Sequence, residues 1–144
     1  MEVPAELQPF ALTSKFDRGE LTVEVAPERV VEACRECKGS LHFERLSTVT
    51  AVDRYPSEPR FEIVYHLHSV SLNRRLRLKA RVSGESPAID SVTAVWRSAN
   101  WYEREVFDLF GITFLNHPNL RRIMMPDEWV GHPLRKDYPV EGYK

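Results

Sequence analysis

Apolar and polar positions first alternate at Leu21, Val23 and Val25 against Glu20, Thr22 and Glu24, which predicts a short half-buried strand. A helix follows from Pro27, with proline in its first turn, an inner stripe of Val30, Val31, Cys34 and Cys37, and Gly39 as its stop. Leu46 to Tyr55 is rich in Thr and Val and reads as a second strand, ended by Pro56-Ser57-Glu58-Pro59. Phe61, Ile63, Tyr65 and Leu67 alternate as a third. Leu76, Leu78, Ala80 and Val82 give a fourth, joined to the third by a turn near Ser71 to Asn73. Gly84-Glu85-Ser86-Pro87 breaks this sheet, after which Ile89, Val92, Val95 and Trp96 keep helical spacing. A last helix starts at Trp101 and stops at Gly111, and Ile112 to Leu115 is short and extended. The order β-α-β-β-β-α-α predicts an α+β domain over residues 1–115, with helices on one face of a largely antiparallel four-stranded sheet. Residues 116–144 read as an extended strip, because Pro118, Pro126, Pro133 and Pro139 forbid a long helix and deny a sheet its donors.

The last helix carries an unusual distribution of charge. Leu109, Tyr102, Val106, Phe110 and Phe107 form one broad apolar arc at about 100° per residue. Arg104 and Asp108 fall together on the far side at i, i+4 spacing, which predicts an exposed pair contributing about 0.3–0.5 kcal/mol. Glu105 also faces outward. Glu103 lies inside the apolar arc. It reads as an N-terminal cap with Asn100, at capping-box spacing, as a buried carboxylate paired with Arg121 or Arg122, or as both.

At 144 residues the chain has room for one domain with a real core. A net charge of −1 points to neither nucleic acid nor an acidic partner. No apolar run reaches bilayer length, and the N-terminus MEVPAELQPFALTSKFDRGE has acids and prolines where a signal peptide has a basic start and an apolar stretch. The expectation is a cytoplasmic protein with no direct membrane insertion, linked to membranes only through partners.

Three patterns could carry chemistry. Cys34 and Cys37 form a C-x-x-C near the C-terminus of a helix, where the dipole raises a thiol pKa, and no further cysteines complete a zinc or cluster site; the pair reads as structural. His66 and His68 share one strand face, as paired metal ligands can, with Glu62 farther along; a polar sheet face explains them equally. Arg75, Arg77, Lys79 and Arg81 form a basic stripe with no interleaved aromatics, read as a solvated sheet face balanced by Glu62, with docking to an acidic protein surface or RNA as alternatives. There is no G-x-G-x-x-G and no phosphate loop.

The C-terminal third closely resembles one family. Glu103-Arg104-Glu105, then Asp108-Leu109-Phe110, His117, Arg121-Arg122-Ile123 and the block Gly131-His132-Pro133-Leu134-Arg135-Lys136-Asp137-Tyr138-Pro139 are similar to the motifs of the C subunit of the proton-pumping NADH:quinone oxidoreductase, respiratory complex I. That resemblance implies a structural member of the peripheral arm, on the cytoplasmic side of the bacterial inner membrane, with no active site and no cofactor of its own. FMN and the iron–sulfur clusters are then expected in partner subunits. The strip would lie along the D subunit, which helps form the quinone site, with the B and I subunits nearby. The expected docking residues are Glu103, Arg104, Glu105, Asp108, His117, Arg121, Arg122, Trp129, His132, Arg135, Lys136, Asp137 and Tyr138. Among these, Trp129 and Tyr138 offer large anchors, and Arg121, Arg122 and Arg135 offer bidentate carboxylate contacts. Alternatives are the equivalent subunit of a membrane-bound hydrogenase or of a ferredoxin- or F420-dependent dehydrogenase, and, more remotely, a hydrolase using His117, His132 and Asp137.

Overall fold

The computed structural model describes residues 3–141. Seven strands and two helices follow in the order β1 (Ala11–Asp17), β2 (Glu20–Val25), α1 (Val30–Lys38), β3 (Arg45–Asp53), β4 (Phe61–Ser69), β5 (Arg74–Val82), β6 (Ala88–Asp90), α2 (Ala99–Phe110) and β7 (Thr113–Leu115). The α+β class holds, with two helices against a mostly antiparallel sheet. The sheet has five strands in the order β1-β2-β5-β4-β3 instead of the expected four, and β2 runs parallel to β5 at its centre.

The additional strand is β1. Its side chains are almost all exposed, so no alternation announces it. It sits at the sheet edge and is joined to β2 by Arg18-Gly19, both at positive φ (51° and 80°), the backbone a tight hairpin demands. The second departure is the helix expected from Ile89 to Trp96. Ile89 lies instead on β6, opposite Phe114 of β7 in a two-stranded parallel sheet. The helical spacing at Val92, Val95 and Trp96 reports one turn, closed by bonds from the amides of Val95 and Trp96 to the Val92 carbonyl, which leads directly into α2.

One core joins these layers. Leu21, Val23 and Val25 of β2, Phe61, Ile63, Tyr65 and Leu67 of β4, and Leu76, Leu78, Ala80 and Val82 of β5 turn the same way and pack with Val30, Ala33, Cys34 and Cys37 of α1 and Val106 of α2. Both helices therefore cover one face, as the alternation requires. The other face carries Thr22, Glu24, Glu62, His66, Arg77, Lys79 and Arg81. Its basic stripe is balanced by more than Glu62: Arg77 also pairs with Glu20 and Arg81 with Glu24, because the central parallel pairing sets β2 beside β5.

Both cysteines are free and fully buried. Burial is the main cause that pushes the Cys37 thiol up to about 12 and Cys34 well above its ordinary value; the neighbouring Cys37 and Glu103 add to the latter. These are poor nucleophiles. Cys34→Ser with Cys37→Ser should cost about 1–3 kcal/mol per site in a urea melt, since each buries a hydroxyl in place of an apolar sulfur. A double variant that keeps the parent's stability would show that the two sulfurs are not core.

Candidate functional site

Helix α2 is the centre of the region marked by the C-terminal motifs. It begins after Ser98 with no side-chain cap, and ends at Gly111, whose φ of +77° continues into β7. Glycine is needed there twice over. The φ is left-handed, and a Cβ would stand 2.6 Å from the His132 ring and 2.7 Å from an Arg135 Nη. The chain after β7 has no helix or strand among its described residues and returns across α2.

That return changes the reading of the helix. Arg104 and Asp108, expected as an exposed pair, are both buried. Asp108 Oδ2 accepts three consecutive backbone N–H groups, from Ile123 (3.0 Å), Met124 (2.6 Å) and Met125 (2.9 Å), and Oδ1 lies 3.3 Å from Arg122 Nη1. Arg104 stacks over Trp101 at 4.7 Å, and its Nε is 3.4 Å from the Arg121 carbonyl oxygen. Each charge points into the returning segment instead of at the other. Glu105 is exposed, as its position on the helix predicts.

Glu103 is neither a cap nor an arginine partner. It is wholly buried: its Oε1 is 2.6 Å from Ser91 Oγ, and its Oε2 accepts the Val92 N–H at 2.8 Å. It thus ties α2 to the turn after β6. Burial pushes its pKa up to about 7, against the opposing effect of the Ser91 and Val92 bonds. His117 Nε2 lies 4.0 Å away, but His117 is itself occupied. Its Nδ1 accepts the Asn119 N–H, so Nε2 carries the proton and donates to the Asn100 carbonyl. Burial depresses the His117 pKa, which keeps the ring neutral.

The segment from Arg121 to Tyr138 supplies its own fasteners. Arg122 donates to the Gly131 carbonyl (2.7 Å), His132 Nδ1 to the Asp108 carbonyl (2.9 Å) and Arg135 Nε to the Phe110 carbonyl (2.6 Å). With the Leu134 amide on the Leu109 carbonyl, the His132 and Arg135 bonds satisfy the free acceptors at the end of α2. Arg135 also lies over the Phe61 ring at 5.3 Å. Beyond it, the Lys136 amide donates to Asp53, and Asp137 joins Arg60, which in turn grips Asp53 at 2.8 Å. Burial works to raise the Asp53 pKa, but Arg60 and the amides of Lys136 and Tyr55 overcome it and hold the carboxyl well below the usual range.

Arg122 and Arg135, offered by the sequence as carboxylate contacts for a partner, are therefore spent within the chain. Arg121 is exposed, and the Trp129 indole N–H donates to the Tyr138 hydroxyl at 3.1 Å. Of the residues in the hydrolase alternative, His117 is bonded to Asn100 and Asn119, His132 to the Asp108 carbonyl and Asp137 to Arg60. Among the described residues no group of three or more His, Cys, Asp or Glu is placed to hold a metal. Glu62, the third ligand considered for His66 and His68, is held by Arg54 and Lys79. The Asp108 bonds were not legible, because their partners are backbone amides of a stretch without periodicity; the available signal was an acid followed about fifteen residues later by Pro-bounded irregular chain.

The site is thus an interlocked one: a short motif-bearing helix held on the sheet side by apolar packing and on its other side by a tail that the helix's own acids and carbonyls bind. Residues 23–144 match the family described as respiratory-chain NADH dehydrogenase, 30 Kd subunit, and the chain belongs to that family. It is 58% identical over 126 residues to the C subunit of NADH-quinone oxidoreductase from Geobacter sulfurreducens, covering 87% of this chain and 78% of the relative. It is 54% identical over 131 residues to the same subunit from Geotalea uraniireducens, covering 91% and 80%. Among solved structures, the trypsin-resistant fragment (1–134) of Nqo5 superposes with a TM-score of 0.69 at 34% identity, covering 75% of this chain and 89% of that one. A chain of the membrane-bound sulfane sulfur reductase, an archaeal respiratory membrane complex, gives a TM-score of 0.76 at 28% identity and covers 94% and 82%. The protein is accordingly one subunit of an oxidoreductase complex and works with other subunits. Among the described residues no helix is long and apolar enough to cross a membrane.

Proposed function

We propose that the chain is a non-catalytic structural subunit in the peripheral arm of proton-translocating NADH:quinone oxidoreductase, on the cytoplasmic side of the bacterial inner membrane. Its segment 116–144 docks against the D subunit that helps form the quinone site, with the B and I subunits nearby, and the partner subunits hold FMN and the iron–sulfur clusters. One observation carries this reading. The segment's polar groups bind inward while its large apolar side chains stay outside: Met124, Trp129, Val130 and Leu134 are between 42% and 64% exposed. A segment already fixed in place loses little freedom on association, so apolar groups displayed on it suit a permanent interface. The absence of a catalytic role is supported by how the motif side chains are used. Glu103, Asp108, Arg122, His132 and Arg135 close bonds within the fold and do not converge on an open cavity.

A tagged chain recovered from membranes should bring the quinone-site and iron–sulfur subunits with it. Trp129→Ala with Leu134→Ala should weaken that association by about 2 kcal/mol or more while leaving the isolated chain's melting transition nearly unchanged. If the double variant assembles as the parent does, the exposed apolar groups are not the contact. A second reading has its own support, the likeness over 94% of the chain to one member of an archaeal sulfane sulfur reductase complex. The same scaffold serves complexes with a different electron acceptor, and mass spectrometry of the co-purified subunits separates the two readings.

A further inference from the structure

Charges on the open face of the sheet are matched along most of its length. Arg77 meets Glu20 at 2.9 Å, Lys79 meets Glu62 at 2.8 Å, and Arg54 meets the same Glu62 at 2.9 Å. The matching stops at the end of β3, β4 and β5 nearest the turn between β4 and β5. There, register sets Arg45 on β3 opposite His68 on β4, and His68 opposite Arg75 on β5. The next row on that face holds Thr48, His66 and Arg77 side by side. Among the described residues no carboxylate pairs with Arg45, His68 or Arg75, and the Nε of Arg77 is buried without an acceptor. Three guanidinium groups, those of Arg45, Arg75 and Arg77, share one acid, Glu20, and this excess of positive charge suits a bound anion. These residues, with Ser47 and Thr48, line a concavity of about 420 Å³, the size range of small-ligand sites.

We propose that this corner is a binding site for a phosphate group, with Arg45 and Arg75 as a two-sided clamp, His68 between them and Arg77 behind. The geometry favours phosphate over a side-chain carboxylate. Arg45 and Arg75 stand two strands apart, roughly 10 Å between backbones, on either side of His68. A planar carboxylate has only two oxygens to share among these donors, whereas the several oxygens of a tetrahedral phosphate accept from two guanidinium groups and an imidazole together. The phosphate is carried either by a soluble molecule or by an anionic phospholipid headgroup.

Titration of the full chain with inorganic phosphate and pyrophosphate in a calorimeter tests the site. Saturable binding is expected, tighter for pyrophosphate, and weakened about tenfold or more in Arg45→Ala with Arg75→Ala. Arg81→Ala, on the same face beside Glu24, should bind as the parent does. Both variants change exposed side chains, and their melting curves confirm that the fold survives. Sedimentation with phosphatidylglycerol–phosphatidylcholine vesicles that pyrophosphate reverses identifies a headgroup as the source; pyrophosphate binding without sedimentation identifies a soluble phosphate. No saturable binding of either anion at millimolar concentration, binding unaffected by the double variant, or binding of hexaglutamate in place of pyrophosphate overturns the proposal, the last in favour of an acidic protein surface.

Discussion

Asp108→Ala should remove about 3–5 kcal/mol of stability from the isolated chain, the scale set by breaking a buried charge pair and stranding its partners. Three amides, those of Ile123, Met124 and Met125, lose their common acceptor, and Arg122 keeps a buried charge with no carboxylate facing it. Asp108→Asn retains an acceptor without the charge and should fall between the variant and the parent. Glu105→Ala, one turn away and exposed, should stay within about 0.5 kcal/mol. Urea melts give the energies, and hydrogen exchange gives the location: the amides of residues 123–125 should lose protection in Asp108→Ala before the strands of the sheet do. A cost below about 1 kcal/mol would mean that the returning segment is held by its apolar contacts and not by this carboxylate.

Glu103 produces a pH effect of comparable size. Its folded-state pKa of about 7 stands above the ordinary 4.5, so the folded protein binds a proton that the unfolded chain has released between those values. The associated stability is complete below pH 4.5 and is lost as pH rises through 7, on the order of 3 kcal/mol across the window. Asp53 and Asp137 act with the opposite sign and in a lower window, because their pKa values are depressed and their contribution fades on acidification. His66, His117 and His132, whose pKa values burial depresses, also oppose Glu103 and do so within its window. Glu103→Gln reproduces the protonated acid, its amide nitrogen donating to Ser91 Oγ and its oxygen accepting from Val92. That variant should lose the fall in stability between pH 4.5 and 7 that Glu103 causes, keep the opposite slope from the burial-depressed His66, His117 and His132, and exceed the parent in stability at pH 8. An unchanged slope would mean that Glu103 is ionised in the folded protein throughout.

Why Asp108 and the partners of Glu103 escaped a reading of the chain, while the sheet did not, follows from what a periodic pattern records. Leu21, Val23 and Val25, Phe61 to Leu67 and Leu76 to Val82 each face one core, so alternation alone located β2, β4 and β5 and the face that α1 and α2 cover. A helix projection assumes one apolar side and one wet side. Helix α2 has no fully wet side, because residues 121–135 lie against the arc that carries Arg104 and Asp108, and that tail has no period to reveal where it runs. Strand β1 escaped for the complementary reason: an edge strand exposed on both faces has no alternation to show. Glu103 was recognised as out of place among apolar neighbours, but its partners, Ser91 and the Val92 amide, belong to a turn that spacing had assigned to a helix. The motif residues themselves were all legible from the resemblance; the use the fold makes of them was not.

The ties between Asp53, Arg60 and the Lys136–Asp137 step bear on the order in which this chain can mature. The Lys136 amide reaches Asp53 across 83 residues, and Asp137 reaches Arg60 across 77. While the protein is being synthesised, β3 and β4 emerge long before those residues exist, and α2 emerges before its carbonyls have Leu134 and Arg135 to receive. The sheet can assemble during translation, with Asp53 already held by Arg60, but Asp108 and the end of α2 wait with unmet polar groups until the tail has been added and has crossed back. Final closure is thus a late event governed by long-range contacts, which form slowly. A nascent chain stalled before residue 123 would hold a sheet beneath an unfinished helix, a form that quality-control proteases could tell from the completed protein.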